Sequence, residues 1–249
     1  MKILVCINIV PDSTTRIKVS SDHQSVDLNG VQWVINPWDE LALTRSIELK
    51  DESKGAITEV IVIHVGPKEN ETVLRKALAM GADSAIRIDS QPTDSLQTAK
   101  LLALEIAKTP FDLIICGNES SDYNGSAVGP MLAELLDLPL LTGVAGLYYA
   151  KEAFLALCVF DNFQQSVKIN KPCIAIAHKG IALAPRIATM RGIMTARTKK
   201  IHLISNESLN SEIKTKWVEK TKPRQSCRLF TTDEIDELVT ILHTEANIL

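Results

Sequence analysis

The chain has 249 residues, of which 45% are hydrophobic and 23% are charged. This composition predicts one large or two small globular domains with a sizeable core, and it excludes a disordered or fibrous protein. Thirty acidic and 27 basic side chains give a formal net charge of -3, so the overall charge does not favour binding to nucleic acid or to an anionic membrane.

The five cysteines lie far apart and include no Cys-x-x-Cys pair. This spacing argues against a disulfide framework and against a zinc site, and it predicts a reducing, cytoplasmic compartment. The first apolar run, from Lys2 to Val10, is far shorter than the roughly 18 residues that span a bilayer. We therefore predict a first strand here and no membrane insertion.

Short β-branched runs alternate with helical patterns, which predicts an α/β fold with a mostly parallel, doubly wound sheet. The predicted strands cover residues 2–10, 58–65, 84–89 and 112–117. The predicted helices cover residues 39–50, 69–80, 94–108 and 131–136. Gly81 should end the second helix, and Leu101, Leu104 and Ala107 should lie on one flank of the third. Four further strand-like runs, at residues 140–149, 153–160, 166–169 and 173–177, predict an antiparallel extension of the sheet.

The C-terminal half contains a basic tract, because residues 162–206 include neither Asp nor Glu. Its cations are Lys168, Lys171, Lys179, Arg186, Arg191, Arg197, Lys199 and Lys200. A polar stretch at residues 206–225 precedes a short amphipathic helix, with Thr232 as its predicted N-cap and Leu238 and Leu242 on its inner side. We therefore predict an α/β domain over residues 1–205 and a C-terminal arm and docking helix over residues 206–249.

The strongest motif is a loop of small and polar residues between a buried strand and a helix. It comprises Gly117, Asn118, Glu119, Ser120, Ser121, Asp122, Tyr123, Asn124, Gly125, Ser126, Ala127 and Val128. Ligands of open α/β sheets bind at the carboxyl ends of strands, where a helix N-terminus can hold phosphate. The loop matches neither the dinucleotide nor the triphosphate motif and contains no Lys, which favours a nucleoside monophosphate or a pyrophosphate. A plain polar loop is the alternative interpretation.

A second candidate is the helix start formed by Asn36, Pro37, Trp38 and Asp39. Asp39 could cap the helix or meet a ligand hydroxyl, and Trp38 could pack on a flat ligand; a simple capped helix is the alternative. We expect His64 and His178 to be hydrogen-bonded core histidines rather than metal ligands, because no second ligand lies at a suitable spacing. No catalytic triad is predicted, since the Gly-x-Ser-x-Gly motif is absent.

Five segments, read in order, resemble the beta subunit of electron transfer flavoproteins. They are residues 10–13, 36–40, 75–83, 117–130 and 185–197. The resemblance implies a non-enzymatic subunit of an αβ heterodimer with one FAD, held mainly by the alpha subunit. Such a heterodimer accepts electrons from flavin dehydrogenases such as acyl-CoA dehydrogenase and passes them toward a quinone reductase, ETF-quinone oxidoreductase.

The resemblance also implies two sets of functional residues. A structural AMP would be bound by Cys6, by Asn36, Pro37, Trp38 and Asp39, by Val65 and by residues 117–128, with Trp38 close to the flavin. A partner dehydrogenase would be anchored by residues 185–196, with Met190 as the apolar contact. The residues of this segment up to position 194 are Pro185, Arg186, Ile187, Ala188, Thr189, Met190, Arg191, Gly192, Ile193 and Met194.

Two alternatives stay open. The family includes electron-bifurcating members in which a second FAD replaces AMP, and residues 127–130 resemble theirs. An adenine-nucleotide-binding stress-type protein of the same broad fold would need a triphosphate site with a Lys or metal-binding carboxylates near Gly117, and the sequence shows no such site.

Overall fold

The structure is a computed structural model, and it describes residues 1–150, 152–169, 172–205, 209, 211, 213–222, 227–245 and 248. It divides into two compact units, the first formed by residues 1–17 and 28–216 and the second by residues 18–27 and 217–249. The boundary expected at residues 205 and 206, and the docking role of the tail, stay predictions. Lys171 and part of the predicted arm at residues 206–225 lie outside the described residues.

The secondary structure alternates between strands and helices, as expected for an α/β protein. The strands are β1 (Lys2–Cys6), β2 (Ile9–Pro11), β3 (Lys18–Val19), β4 (Val26–Asp27), β5 (Trp33–Ile35), β6 (Glu59–Val65), β7 (Ser84–Asp89), β8 (Leu113–Gly117), β9 (Leu140–Ala150), β10 (Ala153–Phe160), β11 (Phe163–Ile169), β12 (Ile174–Ala177) and β13 (Ile201–Ser205). The helices are α1 (Pro37–Glu52), α2 (Glu71–Met80), α3 (Ser95–Ile106), α4 (Val128–Leu136), α5 (Met190–Ala196) and α6 (Ile235–Thr244). Strands β3 and β4 and helix α6 belong to the second unit.

Among the described residues, nine strands of the first unit form one sheet in the order β11-β10-β9-β12-β8-β1-β6-β7-β13. The pairings from β9 to β13 across this sheet are parallel. Only the pairings of β10 with its neighbours β9 and β11 are antiparallel in this sheet. The predicted parallel α/β fold is therefore confirmed, and so is the antiparallel extension for the runs that form β9, β10 and β11. The prediction is wrong for residues 173–177, because β12 lies between β8 and β9 and pairs in parallel with both.

Helices cover both faces of the parallel sheet, which explains why its strands are nearly continuous in apolar residues. Ile3 and Val5 of β1 share a core cluster with residues of α1, α2 and α5. Leu4 and Cys6 of the same strand belong to the opposite cluster, with residues of α3 and α4. The alternation of side chains along β1 thus contributes to two hydrophobic layers, one on each side of the sheet.

Several predicted boundaries differ from those observed. The run from Lys2 to Val10 forms two strands, because β1 ends at Cys6 and β2 pairs with β5 outside the main sheet. Gly81 ends α2 as predicted, and its φ of 140° explains why a glycine is needed there. Helix α5 was not predicted, because Gly192 and the absence of a full apolar stripe conceal this short helix.

Of the flank predicted for the third helix, Leu101 alone is buried. Leu104 is 50% exposed and Ala107 is exposed, whereas Leu102 and Ile106, spaced by four residues, are buried together with Leu101. The sequence carries apolar residues on both sides of this helix, and only packing selects between them.

In the second unit, the N-terminal turn leading into α6 is capped by Thr231 rather than Thr232. The backbone N–H and the hydroxyl of Thr231 both donate to the carboxylate of Glu234, at 2.8 and 2.9 Å. Leu238 and Leu242 are half-buried, in agreement with the predicted inner side. No helix within the described residues is long and apolar enough to cross a membrane.

Candidate functional site

The order of strands places a cleft between β1 and β8. From β1 the chain builds the sheet outward through β6 and β7, and it then returns to form β8 on the other side of β1. Such a reversal leaves a crevice at the carboxyl ends of the strands, where ligands of open α/β sheets bind. A cavity of about 500 Å³ lies at this point. Its size falls within the roughly 300–1,000 Å³ of small-molecule sites.

Most of the residues predicted to bind the nucleotide line this cavity. They are Cys6, Asn36, Asp39, Val65, Gly117, Asn118, Glu119, Ser120, Asp122, Tyr123, Gly125, Ser126, Ala127 and Val128. Pro37, Trp38, Ser121 and Asn124 do not line it. The binding role of all these residues stays a prediction.

One wall of the cavity was not predicted from the sequence; it is formed by Pro92, Thr93, Asp94, Ser95 and Thr98. These residues follow β7 and begin α3, so they also lie at the carboxyl edge of the sheet. The rule that ligands bind at this edge would have found them if it had been applied to every strand.

Asp39 joins the ends of two strands. Its carboxylate accepts hydrogen bonds from the backbone N–H of Asn8, at 2.7 Å, and of Gly117, at 2.9 Å. Burial raises the pKa of Asp39 to about 7, although both hydrogen bonds favour its ionised form. Asp39 therefore fixes the geometry of the cavity floor and does not cap α1.

Asn36 holds the loop that follows β8. Its side-chain Nδ2 donates to the carbonyl of Glu119 at 2.8 Å, and its Oδ1 accepts from the N–H of Ser121 at 3.2 Å. Asn36 is almost fully buried, so neither contact is exchanged easily for water. The two contacts set the path of the loop across the cavity mouth.

Gly117 is required by the close approach of this strand end to α1. A Cβ at position 117 would lie 2.2 Å from Oδ1 of Asp39 and 2.7 Å from Cβ of Trp38. By contrast, a Cβ at Gly125 would meet no atom within 4 Å. The loop thus contains one glycine that packing demands and one that packing does not.

We expect Gly117→Ala to destabilise the chain by about 1–2 kcal/mol, because the new methyl group displaces the Asp39 carboxylate. Gly125→Ala is the matched control and should change the free energy of unfolding by less than about 0.5 kcal/mol. Urea denaturation of both variants measures this difference. Equal stabilities for the two variants would show that the close approach at Gly117 is relaxed at no cost.

Two helix N-termini face the cavity, and they differ in capping. Asp94 caps α3, because its carboxylate accepts from the N–H of Gln97 at 2.7 Å. Ala127 precedes α4 and offers no side-chain cap. The first N–H groups of an α-helix have no partner within the helix, so those of α4 can donate hydrogen bonds to an anion.

The loop before α4 also holds two non-glycine residues in the left-handed region, Asn124 at φ 50° and Ser126 at φ 46°. Backbone strain of this kind costs on the order of 1 kcal/mol per residue, and it clusters at ligand sites.

The cavity is acidic. None of its lining residues, all of which lie in the described part of the chain, is Lys or Arg, whereas Asp39, Asp94, Glu119 and Asp122 all line it. A ligand with several phosphate groups would find no cation here to balance its charge.

His64 forms part of the cavity floor as a neutral side chain. Its Nδ1 bonds to the carbonyl of Ile7 at 2.9 Å, and its Nε2 to the side chain of Asn70 at 2.8 Å. Burial lowers its pKa to about 4. His64 is therefore a hydrogen-bonded core histidine, as predicted.

His178 differs from this expectation. It is half-buried and stacks on Trp38, with ring centroids 5.8 Å apart, but its Nδ1 has no hydrogen-bond partner within the described residues.

Cys6 ends β1, Cys116 is the last residue but one of the neighbouring parallel strand β8, and both line the cavity. A hydrogen bond between the two thiols, followed by burial, raises the pKa of Cys6 well above its usual value. Both side chains are free thiols. Because thiolates are the reactive form, the raised pKa argues against a nucleophilic role for Cys6.

Comparison with known proteins identifies the family. A model described as "Electron transfer flavoprotein domain" matches residues 25–209. The chain is also 32% identical over 257 residues to the "Electron transfer flavoprotein subunit beta, mitochondrial" of Oryza sativa subsp. japonica, with all of both chains covered. The chain belongs to the electron transfer flavoprotein beta-subunit family. The resemblance stated from the sequence is thereby confirmed.

Two further relatives agree with this family. The chain is 31% identical over 249 residues to the electron transfer flavoprotein subunit beta of Bacillus subtilis (strain 168), covering 94% of this chain and 95% of that protein. It is 29% identical over 218 residues to the "Acryloyl-CoA reductase electron transfer subunit gamma" of Anaerotignum propionicum, covering 85% and 80%. Membership of this family implies an electron transfer subunit that associates with a flavin and pairs with an alpha subunit.

The segment predicted from the family to dock a dehydrogenase is held firmly on the first unit. Thr189 caps α5 by accepting from the N–H of Gly192 at 3.0 Å. Arg75 of α2 donates to the carbonyls of Ala196 and Lys199, at 2.7 and 2.6 Å. A Cβ at Gly192 would lie 2.3 Å from the carbonyl oxygen of Ala79, so the glycine lets α5 lie directly against the end of α2.

This segment exposes apolar side chains. Ile187, Met190 and Met194 are 87%, 76% and 68% exposed, and Leu183 nearby is fully exposed. Arg186 of the basic tract has an acidic partner from outside the tract, because its guanidinium forms an ion pair with the carboxylate of Asp51 in α1 at 2.8 Å. The sequence could not show this pair, since the acidic partner lies on another element.

Proposed function

We propose that the chain is the beta subunit of a heterodimeric electron transfer flavoprotein with a structural AMP in the cavity between β1 and β8. It would help the alpha subunit to enclose one FAD and would present residues 185–196 to partner dehydrogenases. The bound FAD supplies the redox chemistry by accepting and releasing electrons, and this chain holds and orients the components. Electrons would pass from a dehydrogenase such as acyl-CoA dehydrogenase toward ETF-quinone oxidoreductase.

The observation that carries the AMP proposal is the uncapped N-terminus of α4 at a cavity of about 500 Å³. The N–H groups of Val128 and Gly129 offer a site for one phosphate, whereas Asp94 already occupies the corresponding groups of α3. Pro130 follows at the third position of α4 and contributes no donor, so the donor set is small.

The charge of the cavity supports a monophosphate over a triphosphate. With carboxylates at Asp39, Asp94, Glu119 and Asp122 and no cation among the lining residues, each added phosphate would increase repulsion. The stress-type alternative, which needs a triphosphate, is disfavoured for the same reason. The pKa of about 7 for Asp39 reduces this negative charge near neutral pH.

The second unit would dock on the alpha subunit. None of the residues of α6 is buried, although one side of this helix carries Leu238, Val239 and Leu242, and Ile235 lies at its start. An amphipathic helix without a core of its own gains stability mainly from packing against another surface. The free thiols, including the exposed Cys227, are consistent with the proposed reducing, cytoplasmic compartment.

A second candidate is a bifurcating-type subunit that binds a second FAD in place of AMP. One relative, from A. propionicum, is named as an electron transfer subunit of an acryloyl-CoA reductase, which supports a role as part of a reductase complex. Both candidates use the same cavity, so the bound nucleotide distinguishes them.

The test is to co-express the chain with an alpha subunit, isolate the complex by gel filtration, and identify the nucleotides released by acid. We expect one AMP and one FAD per heterodimer. Two FAD molecules would support the bifurcating candidate, and ATP would support the stress-type alternative. A nucleotide-free chain that does not bind an alpha subunit would contradict the proposal.

Ala127→Asp sharpens this test, because the new carboxylate would cap α4 and occupy the proposed phosphate site. We expect the variant to assemble with FAD but to bind AMP at least about tenfold more weakly, as charged hydrogen bonds are worth about 1.5–3 kcal/mol. Ser166→Asp adds the same charge at an exposed serine on β11 that does not line the cavity, and it should keep AMP. Equal AMP content in both variants would place the phosphate elsewhere.

A further inference from the structure

A short segment after β13 attaches to the cavity wall that the sequence analysis missed. We call Leu209, Ser211 and Ile213 the strap; all three belong to the first unit. Two side chains at the start of α3 hold the strap by hydrogen bonds. Gln97 bonds to the strap and to the cavity wall, and Asp94 bonds to the strap and to the N-terminus of α3.

Gln97 is the first link. It is 8% exposed, and its Oε1 accepts from the backbone N–H of Thr93 at 2.8 Å. Its Nε2 donates to the carbonyl of Leu209 at 2.5 Å. One buried amide thus fixes the cavity wall at Thr93 and the strap at Leu209, and its two ends cannot change independently.

Asp94 is the second link, and it lines the cavity itself. One carboxylate oxygen caps α3 through the N–H of Gln97, at 2.7 Å, and the other accepts from the hydroxyl of Ser211 at 2.5 Å. The N–H of Ile213 in turn donates to the Ser211 oxygen at 3.2 Å. The strap is therefore attached to the wall at two successive described positions.

The strap also shares a hydrophobic layer with the cavity. Leu209 packs against the core cluster that contains Leu101 and Leu102 of α3 and Leu132 of α4. A change in the positions of α3 and α4 around a ligand would therefore be felt at Leu209 by packing as well as through hydrogen bonds.

We propose that nucleotide binding in the cavity and attachment of the strap are coupled through Gln97 and Asp94, which act as positioning residues for both. This inference rests on the proposed nucleotide site. A bound nucleotide stabilises the turn at residues 92–95, this turn holds Gln97 and Asp94 in place, and these side chains hold the strap. Coupling of this kind is reciprocal. The factor by which a bound nucleotide favours attachment of the strap is therefore also the factor by which an attached strap strengthens nucleotide binding.

The experiment uses the full-length chain, with AMP as the probe. Trypsin cleavage after Lys214 and Lys216, both exposed next to the strap, reports the fraction of chains with a detached strap when attachment is fast relative to cleavage. We expect saturating AMP to slow this cleavage about fivefold or more, which is the lower end of typical coupling factors. Titration calorimetry gives the AMP dissociation constant of each variant.

Two variants cut the links without altering the proposed phosphate site. Ser211→Ala removes the bond to Asp94, and Gln97→Glu keeps an acceptor for Thr93 but loses the donor for Leu209. Both variants should weaken AMP binding. The fold increase in the AMP dissociation constant should be about the same as the fold decrease in the protection of Lys214 against cleavage. Ser166→Ala, an exposed serine on β11, is the matched control and should behave as the wild type.

Each outcome decides between the inferences. AMP that binds the wild type without slowing cleavage, or variants with unchanged AMP affinity, would overturn the coupling and leave the nucleotide site intact. A wild-type chain that does not bind AMP would overturn both. If Gln97→Glu does not fold, Ser211→Ala carries the test alone, because Ser211 lies in the strap and not in the cavity wall.

Discussion

The free energy of unfolding of the wild-type chain is expected to fall as the pH rises from about 4 to about 7. In Asp39→Asn this fall should be absent. Burial raises the pKa of Asp39 in the folded chain to about 7, whereas an unfolded Asp has a pKa near 3.9. Between these values the folded state binds more protons than the unfolded state, so the free energy of unfolding falls with pH. The stabilising contribution is complete below about pH 4 and is lost as the pH passes 7.

A difference of about three pKa units corresponds to about 4 kcal/mol in the free energy of unfolding, which is the full contribution of Asp39 below about pH 4. The measurement is the free energy of unfolding in urea, from pH 4 to pH 8, for the wild type and Asp39→Asn. Between pH 4 and pH 8, the free energy of unfolding of the wild type should fall by about this amount relative to that of Asp39→Asn. Asp161→Asn, which removes an exposed carboxylate in the turn between β10 and β11, is the control. Parallel curves for wild type and Asp39→Asn would refute the assignment.

The titration of Asp39 has a consequence for the proposed AMP. The same carboxylate faces the cavity and holds the ends of β1 and β8 through Asn8 and Gly117. A neutral Asp39 lowers the negative charge around a bound phosphate, while its ionised form repels it. Proton uptake by Asp39 and binding of an anionic nucleotide therefore favour each other.

The fold could be predicted from the sequence because its signals are local. Continuous β-branched runs such as residues 59–65 indicate strands buried on both faces, and Gly81 marks a helix end by its backbone conformation. Helix α5 was missed because its stability depends on Thr189, on Arg75 and on a glycine pressed against α2, which are tertiary contacts.

The candidate site was predicted in part for the same reason. The loop at residues 117–128 follows a recognisable strand, and its small residues are visible in the sequence. The role of Asp39 was not visible, because its hydrogen bonds reach Asn8 and Gly117, 31 and 78 positions away in the chain. Local capping rules suggested a helix cap, and the topology of the sheet produced a clamp between two strands instead.

The second large effect is expected from Met190→Ala in the segment proposed to dock dehydrogenases. Met190 is 76% exposed and starts a helix that Thr189 and Arg75 hold rigidly, so its truncation should leave the fold, the FAD content and the AMP content unchanged. A rigid surface loses little entropy on binding, which makes a single apolar contact more valuable. Truncation of a buried interface anchor costs about 2 kcal/mol or more, or about thirtyfold in Kd.

Arg191→Ala separates the role of charge from that of the anchor. Arg191 is exposed and makes no ion pair within the described residues, whereas Arg186 is already paired with Asp51. Removal of an exposed charge at an interface rim mainly slows association and lowers its salt dependence. Stopped-flow reduction of the flavin by an electron-donating dehydrogenase, across a salt series, measures both variants. Leu203→Ala, an exposed apolar residue on β13, is the control for Met190→Ala. If Met190→Ala reacts like this control at every salt concentration, residues 185–196 are not the docking segment.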